Sequence, residues 1–585
     1  MKAWVRALEM TAPIEREPLR TLPVLIDQLA ERFAAVEALV SPDAALTYAQ
    51  LAAECSRYAR WAVSQGLRSG DTVGLLMPNG VHYMALWLGL TRAGVCVALL
   101  NTQLRAEVLA HCIRIVAPKL VIVGAELCEA VPGVKPYLDP GVAWWAYGGG
   151  SHQLPRVDLA AADLPTFPVS PQEIALPALD ERALFIYTSG TTGLPKAANV
   201  SHYRVMQWSH WFAGMMDTGP GDRMYDCLPL YHSIGGIVAT GATLVGGGTV
   251  VLRERFSASN FWRDVVDQRC TLFQYIGELC RYLVGCEPAP QELAHSLRLC
   301  CGNGLRADVW EQFQTRFRIP QILEYYASTE GNFSLYNCEG KPGAIGRIPP
   351  FLKHRMPVEI VSFDPETQTP ARNAAGHCVS CEPNDAGEAI GKLQSTDSKQ
   401  LARFEGYADE EATASKILRD VFVAGDAWYR SGDLMRRDAQ GFFYFVDRIG
   451  DTFRWKGENV SAAEVTGVIV AAPGVHDAVV YGVQVAGADG RAGMAAIVVG
   501  PQFDLKAFRD FLTARLPDYA RPVFVRIVPA LELTGTFKLR KQTLLAEGYD
   551  PHNVEELYFE DRTRRAYVRL DGPAHRLIQA GVQKL

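Results

Sequence analysis

Through the first three quarters of the chain, apolar runs of strand length alternate with helix-length segments, and this alternation restricts the fold more than any other feature. Val73–Met77 reads as a strand, followed by the turn Pro78-Asn79-Gly80, a helical segment His82–Arg92, a break at Gly94, a second strand Val95–Leu100 and a third at Leu120–Val123. Strands apolar along their whole length are buried on both faces, so the pattern predicts an α/β fold whose large N-terminal domain is built of mainly parallel sheets flanked by helices. Residues 124–180, rich in Pro, Ala, Gly and Asp, read as surface loops and short elements of that domain. From Met356 to Gln394 the runs shorten and polar turns multiply, which predicts a small antiparallel sheet region. After Asp447-Arg448-Ile449-Gly450-Asp451 the chain starts again: strands at Ala478–Val483, Ala495–Val499 and Val523–Val528, and a helix Asp504–Leu516 with Asp504 as N-cap. The expected division is therefore residues 1–449 and a smaller α+β domain of residues 450–585.

Composition narrows the function classes. With 585 residues, 48% hydrophobic and 21% charged, disorder and small disulfide scaffolds are excluded. A net charge of −6 gives no whole-chain attraction to nucleic acid or anionic lipid, so no nucleic-acid partner is expected. Thirteen cysteines and a Met1–Glu9 stretch without an apolar signal core point to a reducing, cytoplasmic setting. Cys378 and Cys381 have CxxC spacing but no second ligand pair at zinc-finger distance, and read as small residues of a strand. The uncharged stretch Pro229–Leu252 is long enough to span a bilayer. Its glycines at 235, 236, 241, 246, 247 and 248 and the β-branched run Thr249-Val250-Val251 instead predict a buried helix, a turn and a buried strand. In the last part of the chain Arg454, Lys456, Arg521, Arg526, Lys538, Arg540 and Lys541 fit either a phosphorylated ligand or a solvated basic face.

The most informative segment is Tyr187-Thr188-Ser189-Gly190-Thr191-Thr192-Gly193-Leu194-Pro195-Lys196, directly after the strand-like Ala183–Ile186. Glycines let backbone N–H groups converge, hydroxyls add donors and a lysine adds charge, a combination suited to a polyphosphate. The spacing is not that of a Walker A loop. The string resembles the phosphate loop of the adenylate-forming superfamily, which includes acyl-CoA synthetases, luciferases and the adenylation domains of peptide synthetases.

Other signatures of that superfamily follow in order. Gly302-Asn303-Gly304-Leu305 resembles the adenine-side loop. Tyr325-Tyr326-Ala327-Ser328-Thr329-Glu330-Gly331-Asn332 resembles the motif whose aromatic ring stacks on adenine, whose threonine bonds phosphate and whose glutamate holds Mg²⁺. The resemblance gives these roles to Tyr326, Thr329 and Glu330, with Tyr325 beside them; Ala327 departs from the usual glycine. Tyr429-Arg430-Ser431-Gly432-Asp433 is similar to the segment whose aspartate accepts from both ribose hydroxyls, Arg448 would lie near ribose or phosphate, and Lys538 matches the C-terminal lysine brought to the carboxylate and α-phosphate. Tyr231-His232-Ser233-Ile234-Gly235-Gly236 matches the segment whose histidine lies beside the substrate carboxylate. Its paired glycines either leave room for a long chain or let helices pack closely.

Glu330-Gly331-Asn332 and Gly450-Asp451-Thr452-Phe453-Arg454-Trp455-Lys456-Gly457-Glu458-Asn459-Val460-Ser461 resemble the fatty acid transport protein and very-long-chain acyl-CoA synthetase branch. The implied reaction joins fatty acid and Mg·ATP to acyl-AMP and pyrophosphate, after which coenzyme A displaces AMP. The small domain of relatives rotates between the halves about a hinge that aligns with Gly450-Asp451. Gly457 would then line the pantetheine tunnel and Arg454 would face CoA or nucleotide phosphate. Two alternatives stay open: an acyl-AMP ligase loading a carrier protein, and a membrane-associated uptake protein acting by vectorial acylation. Peripheral contact at the inner face of a membrane, acyl length and oligomeric state are left open by the sequence.

Overall fold

The computed structural model describes residues 1–150, 153–188, 194–364, 367–393, 403–455, 458–486, 488, 490–532, 541–554 and 556–583. The chain folds into two compact units, Met1–Met356 with Leu393–Ile417, and Pro357–Lys392 with Leu418–Leu585.

The first unit holds two sheets. In the six-stranded sheet the order is Ala143–Tyr147, Leu120–Gly124, Thr72–Leu76, Cys96–Leu99, Arg182–Thr188, Lys196–Ser201, parallel throughout except for the last pair. In the eight-stranded sheet the order is Ser334–Asn337, Ile322–Ala327, Leu299–Asn303, Leu272–Ile276, Arg223–Asp226, Thr249–Leu252, Glu37–Val40, Ala45–Thr47, parallel inside and antiparallel at both ends. The expected α/β architecture is therefore present. The proline- and alanine-rich stretch 124–180 contributes one strand that its composition hid: Ala143–Tyr147 extends the sheet edge and buries Trp144 and Ala146 on alternate positions.

Pro229–Leu252 folds as predicted. A short π-helix Ile234–Ala239 runs into the helix Thr240–Val245, the chain turns at Gly246–Gly248, and Thr249–Leu252 enters the sheet fully buried. Among the described residues no helix is long and apolar enough to cross a membrane. The helix His202–Met216 is buried along most of its length, and the N-terminal helix Lys2–Thr11 lies against it, with Trp4 edge-on to Trp211 and Tyr336.

In the second unit the strands Phe442–Arg448, Ala427–Arg437, Gly387–Lys392, Val358–Asp364 and Thr369–Pro370 pair antiparallel in that order. Cys378 and Cys381 sit beside this sheet, where isolated bridges at residues 378 and 380 replace the strand expected there. All thirteen cysteines are free thiols. Residues from Phe453 to Ile578 close a core of their own around the five-stranded sheet Val475–Gln484, Arg491–Val499, Phe524–Ile527, Leu557–Asp561, Ala566–Arg569. Asp504 caps the helix Leu505–Thr513 by accepting from the Ala507 N–H at 2.7 Å.

Candidate active site

The strands Arg182–Thr188 and Lys196–Ser201 pair so that Thr188 and Lys196 stand opposite each other at the loop end of a hairpin. Ser189, Gly190, Thr191, Thr192 and Gly193, the centre of the connecting loop, lie outside the described residues, as do Lys456, Gly457, Lys538 and Arg540. Around the hairpin end the structure gathers groups that are far apart in sequence. The segment Gly406–Ala408 lies along the strand Lys196–Ser201, with Asn199 N–H donating to Gly406 O at 3.0 Å and Ala408 N–H to Ala197 O at 2.8 Å. That placement sets the Tyr407 ring 5.7 Å from the Lys196 ammonium and brings it near the Glu330 carboxylate. Burial and the Glu330 carboxylate raise the Tyr407 phenol well above its ordinary range. Lys416 reaches Glu330 at 3.9 Å.

Thr329 is fixed from two sides. Its hydroxyl lies 3.1 Å from that of Ser233, next to His232, and its carbonyl accepts from the Arg204 guanidinium at 2.8 Å. Arg204 also bonds the Arg403 carbonyl and lies 3.7 Å from Glu405, which in turn accepts from the Ser201 N–H and hydroxyl at 2.7 and 2.5 Å. A buried arginine needs its donors matched, and here it ties a helix start, a strand end and the 403–405 segment to one residue of the expected nucleotide motif. Arg204, Ser233, Glu405 and Tyr407 were not singled out from sequence. The one signal available was a lone arginine inside an otherwise largely apolar helix.

His232 follows Pro229, whose carbonyl accepts from its N–H at 3.0 Å, and its Nδ1 accepts from the Ile234 N–H at 3.4 Å, which leaves the ring proton on Nε2. The paired glycines after it serve close packing. A Cβ at Gly235 would lie 2.6 Å from Pro229 O, and one at Gly236 would lie 2.4 Å from Leu230 O.

Tyr325 and Tyr326 point to opposite faces, as neighbours in a strand must. The Tyr326 ring stacks beside Phe333 at 5.7 Å, whereas Tyr325 is fully buried against Phe212 and Tyr336 and belongs to the core. Gly302 sits where two neighbouring parallel strands approach closely, since a Cβ there would be 2.2 Å from Tyr275 O, and Gly304 takes a left-handed φ of +77° just after Asn303 closes the strand.

In the second unit Asp433 and Arg448 are cross-strand partners, with the guanidinium 3.5 Å from the nearly buried carboxylate. Asp447, pushed up by burial, accepts from the Arg448 and Ala463 N–H groups and the Ser461 hydroxyl. Between them Gly450 has φ +97° with open space where a side chain would be. Arg454 sits in the hairpin formed by Phe453–Trp455 and Glu458–Val460. The expected basic cluster is in part committed elsewhere: Arg521 pairs with Asp518 and Glu560, Arg526 with Glu547 at 2.7 Å and Lys541 with Asp451 at 3.0 Å.

The chain belongs to the AMP-binding enzyme family, whose model matches residues 26–379, and the AMP-binding enzyme C-terminal domain matches residues 464–538. It is similar to long-chain fatty acid transport protein 1 of Mus musculus, 42% identical over 573 residues that cover 96% of this chain and 88% of the relative. Long-chain fatty acid transport protein 2 of Rattus norvegicus is 39% identical, covering 95% and 90%. Among solved structures, ATP-bound MatB from Rhodopseudomonas palustris superposes with a TM-score of 0.75 at 24% identity, covering 90% of this chain and 99% of that one. A fatty acyl CoA synthetase of Mycobacterium tuberculosis gives 0.63 at 23%, covering 90% and 98%. The family and branch expected from the motifs are thus established.

Proposed function

We propose that the chain is an ATP-dependent long- or very-long-chain fatty acyl-CoA ligase, forming acyl-AMP and pyrophosphate and then acyl-CoA and AMP. The observation that carries this reading is the convergence of Thr188, Lys196, Tyr407, Thr329 and Glu330 at one hairpin end, where cation, hydroxyls and a carboxylate fit a nucleotide triphosphate. Lys196 supplies charge to the phosphates, together with the hydroxyls of Thr188, Ser189, Thr191 and Thr192 and the backbone of Gly190 and Gly193. Tyr326 offers a ring face to adenine beside the loop Gly302, Asn303 and Gly304. Thr329, held by Ser233 and Arg204, presents its hydroxyl without needing to reorganise.

Glu330 fits Mg²⁺: a hard, nearly buried carboxylate already matched to the Lys416 cation, for a metal that draws most of its ligands from phosphates and water. When bound, the metal would neutralise phosphate charge. Lys538 offsets the repulsion between the attacking carboxylate and the α-phosphate, and His232, with its proton on Nε2, is a donor for that carboxylate. Asp433 accepts from the ribose hydroxyls with Arg448 as its cation. For the second half, residues 450–585 would turn about Gly450, bringing Arg454 and Gly457 to coenzyme A. The setting is reducing and cytoplasmic, with any membrane contact peripheral.

The test is a panel of fatty acids with Mg·ATP, following pyrophosphate, and then AMP with and without CoA. Acid-dependent pyrophosphate and CoA-dependent AMP are expected. AMP released only with a carrier protein would redirect the reading to carrier loading, and no pyrophosphate with any acid would end it.

A further inference from the structure

Glu324 has no part in the chemistry above, yet it is a carboxyl sealed inside the first unit. It lies on the strand Ile322–Ala327 two positions before Tyr326, so the two side chains leave the same face of the sheet. Its Oε1 accepts from the Leu305 N–H at 3.1 Å and its Oε2 accepts from the Tyr275 hydroxyl at 2.5 Å. Tyr275 in turn carries the backbone carbonyl on which Gly302 rests, and Gly304 O lies so near Gly277 that a Cβ there would be 1.9 Å away. The Gly304–Leu305 peptide plane is therefore held by this one side chain, and a trans peptide fixes its carbonyl, Gly304 O, once its N–H is fixed.

Burying a carboxyl is costly, and sheet packing alone would be served by an apolar residue at this position. What the carboxyl adds is a short hydrogen-bonded link between the strand that carries Tyr326 and a loop whose glycine conformation gives it little stiffness of its own. We propose that Glu324 is a positioning residue for the adenine side of the nucleotide site: it clamps the 302–305 loop to the strand bearing Tyr326 and so fixes the spacing of the two walls that receive the base. The inference rests on the nucleotide reading of Tyr326 and Gly302–Gly304 given above.

The experiment is equilibrium binding of AMP to the full chain by calorimetry, with ATP kinetics alongside. For Glu324→Ala, AMP binding is expected to weaken about tenfold and KM for ATP to rise by about the same factor, while kcat at saturating ATP changes by less than about threefold. Glu324→Gln keeps an oxygen acceptor for the Leu305 N–H and is expected to recover AMP binding to within about threefold of wild type. Unaltered AMP affinity in Glu324→Ala, a fall in kcat at constant KM, or a Glu324→Gln variant as weak as Glu324→Ala would overturn the clamp. Should Glu324→Ala not fold, Tyr275→Phe decides: weaker AMP binding at an unchanged melting temperature supports the clamp, and wild-type binding overturns it. If the wild-type chain binds neither AMP nor ATP, the nucleotide reading itself fails and the clamp with it; binding that is normal in wild type and in every variant defeats the clamp alone.

Discussion

Buried charge is handled in opposite ways by the parallel sheets of the first unit and by the small α+β core of residues 453–578. In the sheets, Asp226 and Glu324 are sealed from solvent with only neutral donors as partners, Leu228 N–H and Thr240 in one case and Tyr275 with the Leu305 N–H in the other. Burial pushes both carboxyls up to about 8. In the C-terminal core the buried charges come as ion pairs, with Arg509 and Arg521 on Glu560 at 3.0 and 3.4 Å and Arg526 on Glu547. The lesson is that the first region uses buried carboxyls to hold backbone in place, whereas the second pairs its buried charges within its own core, as suits the proposal that it turns as one body and carries side chains with it.

If the second region is such a carrier, Lys538→Ala should lower adenylation by about 10² or more while leaving the melting temperature unchanged. Thioester formation from preformed acyl-AMP should fall much less. Equal losses in both half-reactions, measured separately, would contradict the assignment. Glycines offer the next contrast. Gly302→Ala places a methyl 2.2 Å from a backbone carbonyl and should cost about 1–3 kcal/mol in urea unfolding. Gly467→Ala, in the helix Ala462–Val470 with nothing within 4 Å of the new methyl, should stabilise by about 0.5–1 kcal/mol. Similar effects of the two changes would remove the contrast.

A further contrast is expected from pH. A carboxyl whose folded pKa lies above its unfolded value binds more protons in the native state, so its contribution to stability declines as pH rises from the unfolded value through about 8. Asp226→Asn removes that decline, since an amide oxygen still accepts from Leu228. The urea midpoint of the variant relative to wild type should therefore climb between pH 5 and pH 8, and parallel curves across that range would show Asp226 to be ionised in the fold.

The buried strands were legible because parallel sheets write themselves as uninterrupted apolar runs: Thr72–Leu76 and Leu120–Gly124 fall within a residue of their predicted limits. Ala143–Tyr147 was not, because an edge strand flanked by prolines and glycines looks like the loops around it. At the site, local motifs pointed to Thr188, Lys196, Tyr326, Thr329 and Glu330, and the fold places all but Tyr326 around one hairpin end. The residues that hold them were invisible for a different reason. Arg204 meets Thr329 across 125 positions, and Glu405 meets Ser201 across 204, and such pairings leave no periodic or spacing trace. Period two alone separates Tyr325 from Tyr326, but which face is the core becomes clear only once Phe212 is seen against it.

The contact of Gly235 and Gly236 with the carbonyls of residues 228–230 makes this wall of the His232 neighbourhood unforgiving. Even a methyl group has nowhere to go on the side facing those carbonyls, so remodelling substrate preference by point substitution there would damage the protein before it altered selectivity. Variation in what this scaffold accepts has to be written into neighbouring side chains whose far ends can move, and libraries aimed at new acids are best built around the glycine pair with the pair itself left untouched.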